Sequence, residues 1–218
     1  MTDVLQSQQR YYAARAPEYD DWWYRRGRYA MSPEAEAAWR ADEREVDAAL
    51  DALGPLGDVV ELAAGTGIWT RKLVRRAERV VALDVNGEVL ARNTADAEQR
   101  VVDLFEWQPD EQFDLCFFGF WLTHVPEGRF DGFWSTVRAA LKPGGRVFPV
   151  DNSGGGEATH VERRGEECEL RTLADGRTFE IVKRRWTPEA LREPVAPLGF
   201  ELDAQVTANG HFVYGSGR

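Results

Sequence analysis

Cysteine and histidine are scarce in this chain, two and three residues respectively, and their placement closes off several chemistries. Cys116 and Cys168 stand far apart with no Cys-x-x-Cys or Cys/His spacing, so no metal site is expected. Both suit a reducing compartment. Long apolar runs are missing too: no stretch approaches the roughly twenty apolar residues of a membrane span. The opening MTDVLQSQQR lacks the basic start and apolar run of a secretory leader. The expectation is a cytoplasmic protein with no membrane partner. Cations are outnumbered, 27 Lys and Arg against 37 Asp and Glu, for a formal charge of −10. A field of that sign repels phosphate backbones and anionic lipid, which argues against a nucleic-acid partner.

What the chain does contain is apolar and aromatic mass. Hydrophobic residues fill 43% of its 218 positions, with eight Trp and eleven Phe, enough to close a sizeable core. Residues 1–218 read as one domain. Within it, residues 1–54 are rich in Tyr, Trp, Arg and Glu, and Trp39, Val46, Leu50 and Leu53 recur at helical spacing. They form a helical lid outside any sheet. Residues 55–151 alternate short apolar runs with amphipathic segments: DVVELA, RVVALD, a short strand near Arg100 to Asp103, FDLCFFG and RVFPVD. Between them lie helices through Lys72 and Ala77, from about Val89 to Ala97, and through Phe130, Phe133, Trp134, Val137 and Leu141, whose spacing is one buried face. Lys142-Pro-Gly-Gly145 stops the last helix.

Such β-α alternation requires a parallel sheet covered by helices. With the late strands FELDAQV and HFVYGS it becomes a doubly wound, mostly parallel, seven-stranded α/β sheet. Residues 152–218 also hold a Gly-rich loop at Asn152 to Gly156, then ECELRTL and RTFEIVKRRW around Ala174-Asp-Gly176, an inserted β-hairpin. A helix runs from Thr187-Pro188 to about Leu198.

Glu61-Leu-Ala-Ala-Gly-Thr-Gly67 ends the first strand and turns into a helix. Glycine at 65 and 67 lets backbone N–H groups approach a ligand without a Cβ in the way. Asp84 ends the next strand, where a carboxylate can accept both hydroxyls of a ribose. A nicotinamide dinucleotide would use the same geometry, yet counting GxGxxG from Gly65 puts Thr70 at the third glycine, with Trp69 in the first helical turn. The close helix packing beside a pyrophosphate is then compromised, and a ligand without a diphosphate fits better. A P-loop is excluded, because no Gly-Lys-Ser/Thr follows.

At these residues the chain resembles the class I S-adenosylmethionine-dependent methyltransferases, over nearly its whole length. The resemblance implies their Rossmann-like fold and S-adenosyl-L-methionine as cofactor. VVELAAGTGIWT resembles the first motif, implying Glu61 beneath the loop and Leu62, Ala63, Gly65, Thr66 and Gly67 around the methionine part. Ala63 stands where that motif often has glycine. ALDVN implies Asp84 on the ribose and Val85 beside the adenine, and VVDLFEW implies Asp103 on the adenine amino group with Leu104 on its ring. FDLCFFGFWLTHVP and LKPGG complete the pattern, with Phe118 and Gly119 toward the methionine amino group. YYAARAPEYDDWWYRRGRY resembles the lid of small-molecule members, implying Tyr11 and Tyr19 over the methionine carboxylate.

The acceptor belongs above the carboxyl ends of the strands, with Tyr24, Tyr29 and Trp121 as candidate walls. His124 is the candidate proton acceptor, since neutral imidazole can take a proton at physiological pH; the alternative is a histidine that orients its loop through the backbone. In the hairpin, a three-residue loop with Gly176 left-handed would pair Arg171 with Phe179 and Glu167 with Lys183. Arg171 and Lys183 would then share a face, where they could hold a phosphonate, phosphate or carboxylate. A two-residue turn would separate them, and Glu167 or Glu169 could pair with them instead. Segments such as DLFEW and RTLADGRTFEIVK resemble phosphonate O-methyltransferases within the family, which implies cations at 171 and 183; Phe120 and the Trp- and Arg-rich lid depart from that pattern. The expected activity is methyl transfer to an oxygen or nitrogen of a small molecule, preferably an anionic acid. Open alternatives are a neutral or aromatic acceptor, a nicotinamide-dependent oxidoreductase and a non-catalytic S-adenosylmethionine-binding protein.

Overall fold

Strands in which consecutive side chains are buried, most of them apolar, must be covered on both faces. β1 (Asp58–Leu62), β2 (Arg79–Asp84) and β4 (Phe113–Gly119) behave this way in the computed structural model, which describes residues 2–153, 161–164 and 167–218. Val60, Val81, Cys116 and Phe118 point into a core closed by Phe133, Trp134 and Phe200. Val59, Val80, Leu115 and Phe117 point the other way, against Trp39, Val46, Leu50 and Leu73. With β3 (Glu98–Val101), β5 (Leu141–Asn152), β9 (Leu202–Val206) and β10 (Phe212–Gly217) they make a seven-stranded sheet of order β3-β2-β1-β4-β5-β10-β9. The first five strands are parallel, and β10 runs antiparallel to both neighbours. Strand order reverses between β1 and β4, which is where a doubly wound sheet opens a crevice.

The helix α2 (Pro33–Ala52) starts on Ser32, whose Oγ accepts from Ala35 N at 3.3 Å, with Pro33 in its first turn. It buries Trp39, Val46 and Leu50 as their spacing predicts. The helix α5 (Phe130–Ala140) likewise buries Phe130, Phe133, Trp134 and Val137. By contrast α3 (Thr70–Leu73) and α4 (Gly87–Leu90) are single turns, shorter than expected. For α4 the cause is Asn93: its Oδ1 takes the Ala95 N–H at 3.1 Å, which a continuing helix would give to Ala91. The third strand lies two residues earlier than read, which leaves Asp103 in a loop. α6 (Pro188–Arg192) also stops early, because Pro194 has no N–H to continue an α-helix, and a tighter turn follows at Ala196–Leu198.

The insertion is a three-stranded sheet, with β6 (Val161–Arg164) added to the hairpin of β7 (Cys168–Thr172) and β8 (Thr178–Val182). Arg171 pairs with Phe179, Lys183 N donates to Glu167 O at 2.7 Å, and Gly176 has φ +86°. That is the three-residue loop, so Arg171 and Lys183 share a face. The Gly154 to Gly156 part of the Gly-rich loop lies outside the described residues.

The lid helix α1 (Thr2–Trp23) lies against β8 and the cleft above the sheet. The buried Gln8 amide fastens it there, accepting from Val182 N at 3.1 Å and donating to His124 O at 3.3 Å. Among the described residues no helix is long and apolar enough to cross a membrane.

Candidate active site

The loop after β1 folds through three left-handed residues: Ala63 (φ +55°), Gly65 (φ +58°) and Gly67 (φ +83°). Glycine adopts this conformation freely, whereas alanine at 63 carries some strain. Gly65 N donates to Asp84 Oδ2 and Asn86 N to Asp84 Oδ1, each at 2.9 Å. Burial raises the Asp84 pKa and these N–H groups oppose it. Each oxygen keeps a lone pair for a further donor. Asp103 caps its own loop by accepting from Phe105 N at 2.9 Å. Below the loop, Asn93 Nδ2 donates to Thr70 Oγ1 (2.8 Å), which donates to Glu61 (2.5 Å). Burial pushes Glu61 up to about 8. It anchors the loop from beneath and does not border the main cleft.

That cleft, about 870 Å³, is bordered by Ala63, Gly65, Thr66, Asp84, Val85, Asp103, Leu104, Gly119 and Trp121, and also by Asn86, Val89 and Phe105, which the motif reading left out. Leu62 and Phe118 are core residues under it, Phe118 packed on Phe133 and Trp134. Gly67 stays off its wall. The roof is one stripe of α1, Leu5, Gln8, Tyr12, Ala16 and Tyr19, at helical spacing. The tyrosine that joins Tyr19 over the cleft is therefore Tyr12, seven residues earlier. Tyr11 turns away onto Leu173, Ile181 and Phe179. The interval of seven was the available signal.

A second chamber, about 1360 Å³, shares Tyr12, Tyr19, Phe120 and His124 with the first. Its cations among the described residues are Arg15, Arg171, Lys183, Arg184 and Arg185. Arg171 is held by Glu169 at 2.6 Å, so the ion pair and the chamber-facing position coexist. Arg15, unforeseen in the sequence, lies 5.2–6.0 Å from the ring centroids of Tyr11, Tyr19, Trp22 and Tyr29. Its Nε and that of Arg171 are buried without a hydrogen-bond partner among the described residues. Burial lowers Lys183 to about 8; Arg171 and Arg15 add to the fall, and Asp151 and Glu169 oppose it. Tyr24 and Tyr29 border neither space: Tyr24 accepts from Arg71 at 3.4 Å, and Tyr29 packs on Arg15 and Arg28.

His124 stands where the two spaces meet. Its Nδ1 lies 2.7 Å from Val182 O, and a carbonyl only accepts, so Nδ1 carries the proton. Nε2 therefore accepts from the Tyr12 hydroxyl at 2.5 Å. Burial, then Lys183 and Arg171, hold the imidazole well below its ordinary pKa. It is neutral, and the nitrogen that would take a substrate proton is already engaged. The arrangement matches a loop-orienting histidine better than a general base.

Residues 59–145 match the methyltransferase domain family. The whole chain aligns with the solved complex of DhpI with SAH at 38% identity and a TM-score of 0.80, covering 100% of this chain and 98% of that one. The complex of DhpI with SAM and HEP gives 38%, a TM-score of 0.82, and coverage of 100% and 99%. The glycopeptide N-methyltransferase MtfA with S-adenosylmethionine is alike in fold, at 20% identity, a TM-score of 0.62 and coverage of 79% and 92%. A demethylmenaquinone methyltransferase of Tropheryma whipplei is 30% identical over 106 residues, 44% of this chain, and the match spans less than half of that relative's length, 42%. A doubly wound sheet with its reversal point under a glycine loop, an acidic residue ending the second strand and another in the loop after the third, defines the Rossmann-like methyltransferase class. The chain belongs to the S-adenosylmethionine-dependent methyltransferases.

Proposed function

We propose that this chain transfers the methyl group of S-adenosylmethionine to an anionic oxygen of a small acid, such as a phosphonate or carboxylate. The observation that carries the reading is the chamber of Arg15, Arg171 and Lys183 sharing a wall with the glycine-loop cleft. The cleft's residues suit the cofactor. Asp84 keeps acceptor capacity for ribose hydroxyls, Val85 and Leu104 offer apolar faces and Asp103 an acceptor for adenine, and Gly65, Thr66 and Gly119 admit the methionine end. S-adenosylmethionine supplies an electrophilic sulfonium methyl.

Arg171, Lys183 and Arg15 bind and orient the acid, the first as a planar fork and the second as a point charge. Tyr12, Tyr19 and Phe120 at the shared wall exclude water, and orientation with desolvation supplies much of such a rate. An acid bound as its anion has no proton to lose, so His124 serves by positioning Tyr12. DhpI, a dehydrophos methyltransferase solved with SAM and HEP, supports the acid reading by its likeness. The net charge of −10 favours a small-molecule acceptor over nucleic acid, and the free Cys116 and Cys168 suit a reducing cytoplasm.

The test is a screen with methyl-labelled cofactor over phosphonates, carboxylates, phenols and amines, beside calorimetric titration with S-adenosylhomocysteine and NAD. Label should enter the acids, and S-adenosylhomocysteine alone should bind; label confined to phenols or amines sinks the acid reading, and tight NAD binding sinks the cofactor reading. The pH profile is a further check. Lys183 loses its charge as pH rises through about 8, so kcat/KM for an acid should fall above that pH. Lys183→Arg should remove this limb, since arginine stays charged. Coincident profiles for the two proteins would detach Lys183 from the acceptor.

A further inference from the structure

Asp42 is a fully buried carboxylate in the middle of α2, and such a charge needs donors. It finds them in the turn between β9 and β10. Thr207 Oγ1 (2.8 Å) and His211 N (3.1 Å) donate to Oδ2, while Asn209 N (3.0 Å) and Nδ2 (2.8 Å) donate to Oδ1. Burial works against the charge, but these donors outweigh it and hold the carboxyl down at about 2.

A fifth contact goes beyond what the carboxylate requires: His211 Nδ1 lies 2.7 Å from Oδ2. A carboxylate only accepts, so Nδ1 carries the proton, and in the neutral ring Nε2 carries the lone pair. That nitrogen has no hydrogen-bond partner among the described residues, and the ring borders the acceptor chamber, edge-on to Trp39 at 5.2 Å. Nothing in the methyl transfer described above uses it. The carboxylate behind Nδ1 fixes the tautomer and strengthens Nε2 as an acceptor. An ammonium is a poor occupant here. Arg15 borders the same chamber, and the Arg25 guanidinium sits 3.3 Å from the Trp39 ring centroid.

We propose that His211, fixed by Asp42, is a second acceptor-binding pole that receives a neutral O–H or N–H donor carried by the acid away from its methylated oxygen. This rests on the anionic-acceptor reading and narrows it: the substrate is a two-headed acid, gripped by cations at one head and read by imidazole at the other. Sequence position hides the pole, because Asp42 and His211 are 169 residues apart.

Binding to the S-adenosylhomocysteine-saturated protein tests it without turnover. Alkylphosphonates of two to five carbons, ending in either a hydroxyl or a methyl group, are titrated calorimetrically into the wild type and into His211→Phe, which keeps a ring against Trp39 but no acceptor nitrogen. At the chain length that reaches the ring, the wild type should bind the hydroxylated acid about tenfold more tightly, the worth of one added hydrogen bond. His211→Phe should bind both alike, with cofactor affinity unchanged. Equal binding of the two series to the wild type at every length overturns the assignment even where the variant fails to fold, and so does a preference that survives in His211→Phe. Both results leave the anionic reading standing. Failure of every acid to bind overturns both.

Discussion

Replacing Arg171 and Lys183 together by Ala should raise the KM for an acidic acceptor by about a hundredfold to a thousandfold, while S-adenosylhomocysteine affinity changes less than about twofold. A hydrogen bond to a charged group contributes about 1.5–3 kcal/mol, and two are removed. Part of that is returned because Glu169 and Asp151, facing the vacated space, are already served by other donors: Arg185 at 3.5 Å for Glu169, and Thr123 N at 2.8 Å and Asn152 N at 2.7 Å for Asp151. Arg15, Arg184 and Arg185 remain on the chamber wall, so some affinity for the anion persists. The cofactor cleft is bordered by neither substituted residue, which is why its ligand should not notice. Steady-state kinetics with a limiting acceptor, beside calorimetry with S-adenosylhomocysteine, read the two numbers. An unchanged acceptor KM would remove the anion chamber from the mechanism; an equal loss of cofactor affinity would show that the hairpin supports the fold and not the acceptor.

The parts of this site legible in the sequence are those made by local backbone. Gly65, Gly67, the acidic strand end Asp84 and the loop carboxylate Asp103 act through turns of a few residues, and the hairpin register follows from one left-handed glycine at 176. Strand alternation between two apolar faces is local in the same sense. What the sequence hid depends on helical phase or on distant contacts. Placing Tyr11 over the cofactor cleft followed a motif by position, whereas the continuous helix α1 puts Tyr12 and Tyr19 on one stripe and sends Tyr11 to the hairpin. Arg15 belongs to the chamber because four aromatic rings from α1 and the turn after it surround it. The tautomer of His124 is set by Val182, 58 residues away, and its Nε2 is claimed by Tyr12, 112 residues away. No spacing rule reaches that far, so a histidine in a promising loop reads as a base until its neighbours are known.

Gly67→Ala should cost about 3–6 kcal/mol of stability, lower the melting temperature by roughly 10–20 °C for a chain of this size, and weaken S-adenosylhomocysteine binding at least about tenfold. The backbone there has φ +83°, where an L side chain is strained by about 1–2 kcal/mol. An added Cβ would also lie 2.0 Å from Asn93 Oδ1 and 2.3 Å from its Cγ. Asn93 has little freedom to retreat, because its Nδ2 serves Thr70 and its Oδ1 takes the Ala95 N–H. Moving it strips a donor from the Thr70 hydroxyl that holds Glu61, and a buried polar group left unpaired costs about 1–3 kcal/mol. The glycine loop would then lose its anchor to α3 from below. Gly65→Ala is the matched control: φ is +58°, yet its Cβ would meet nothing nearer than Ala63 O at 4.0 Å, so only the conformational strain applies and the melting temperature should fall by a few degrees. Adding Asn93→Ala to Gly67→Ala should restore part of the lost stability by clearing the clash. If the two substitutions together instead destabilise by the sum of their separate effects, the side-chain collision is not what glycine at 67 avoids, and the backbone angle alone must account for it.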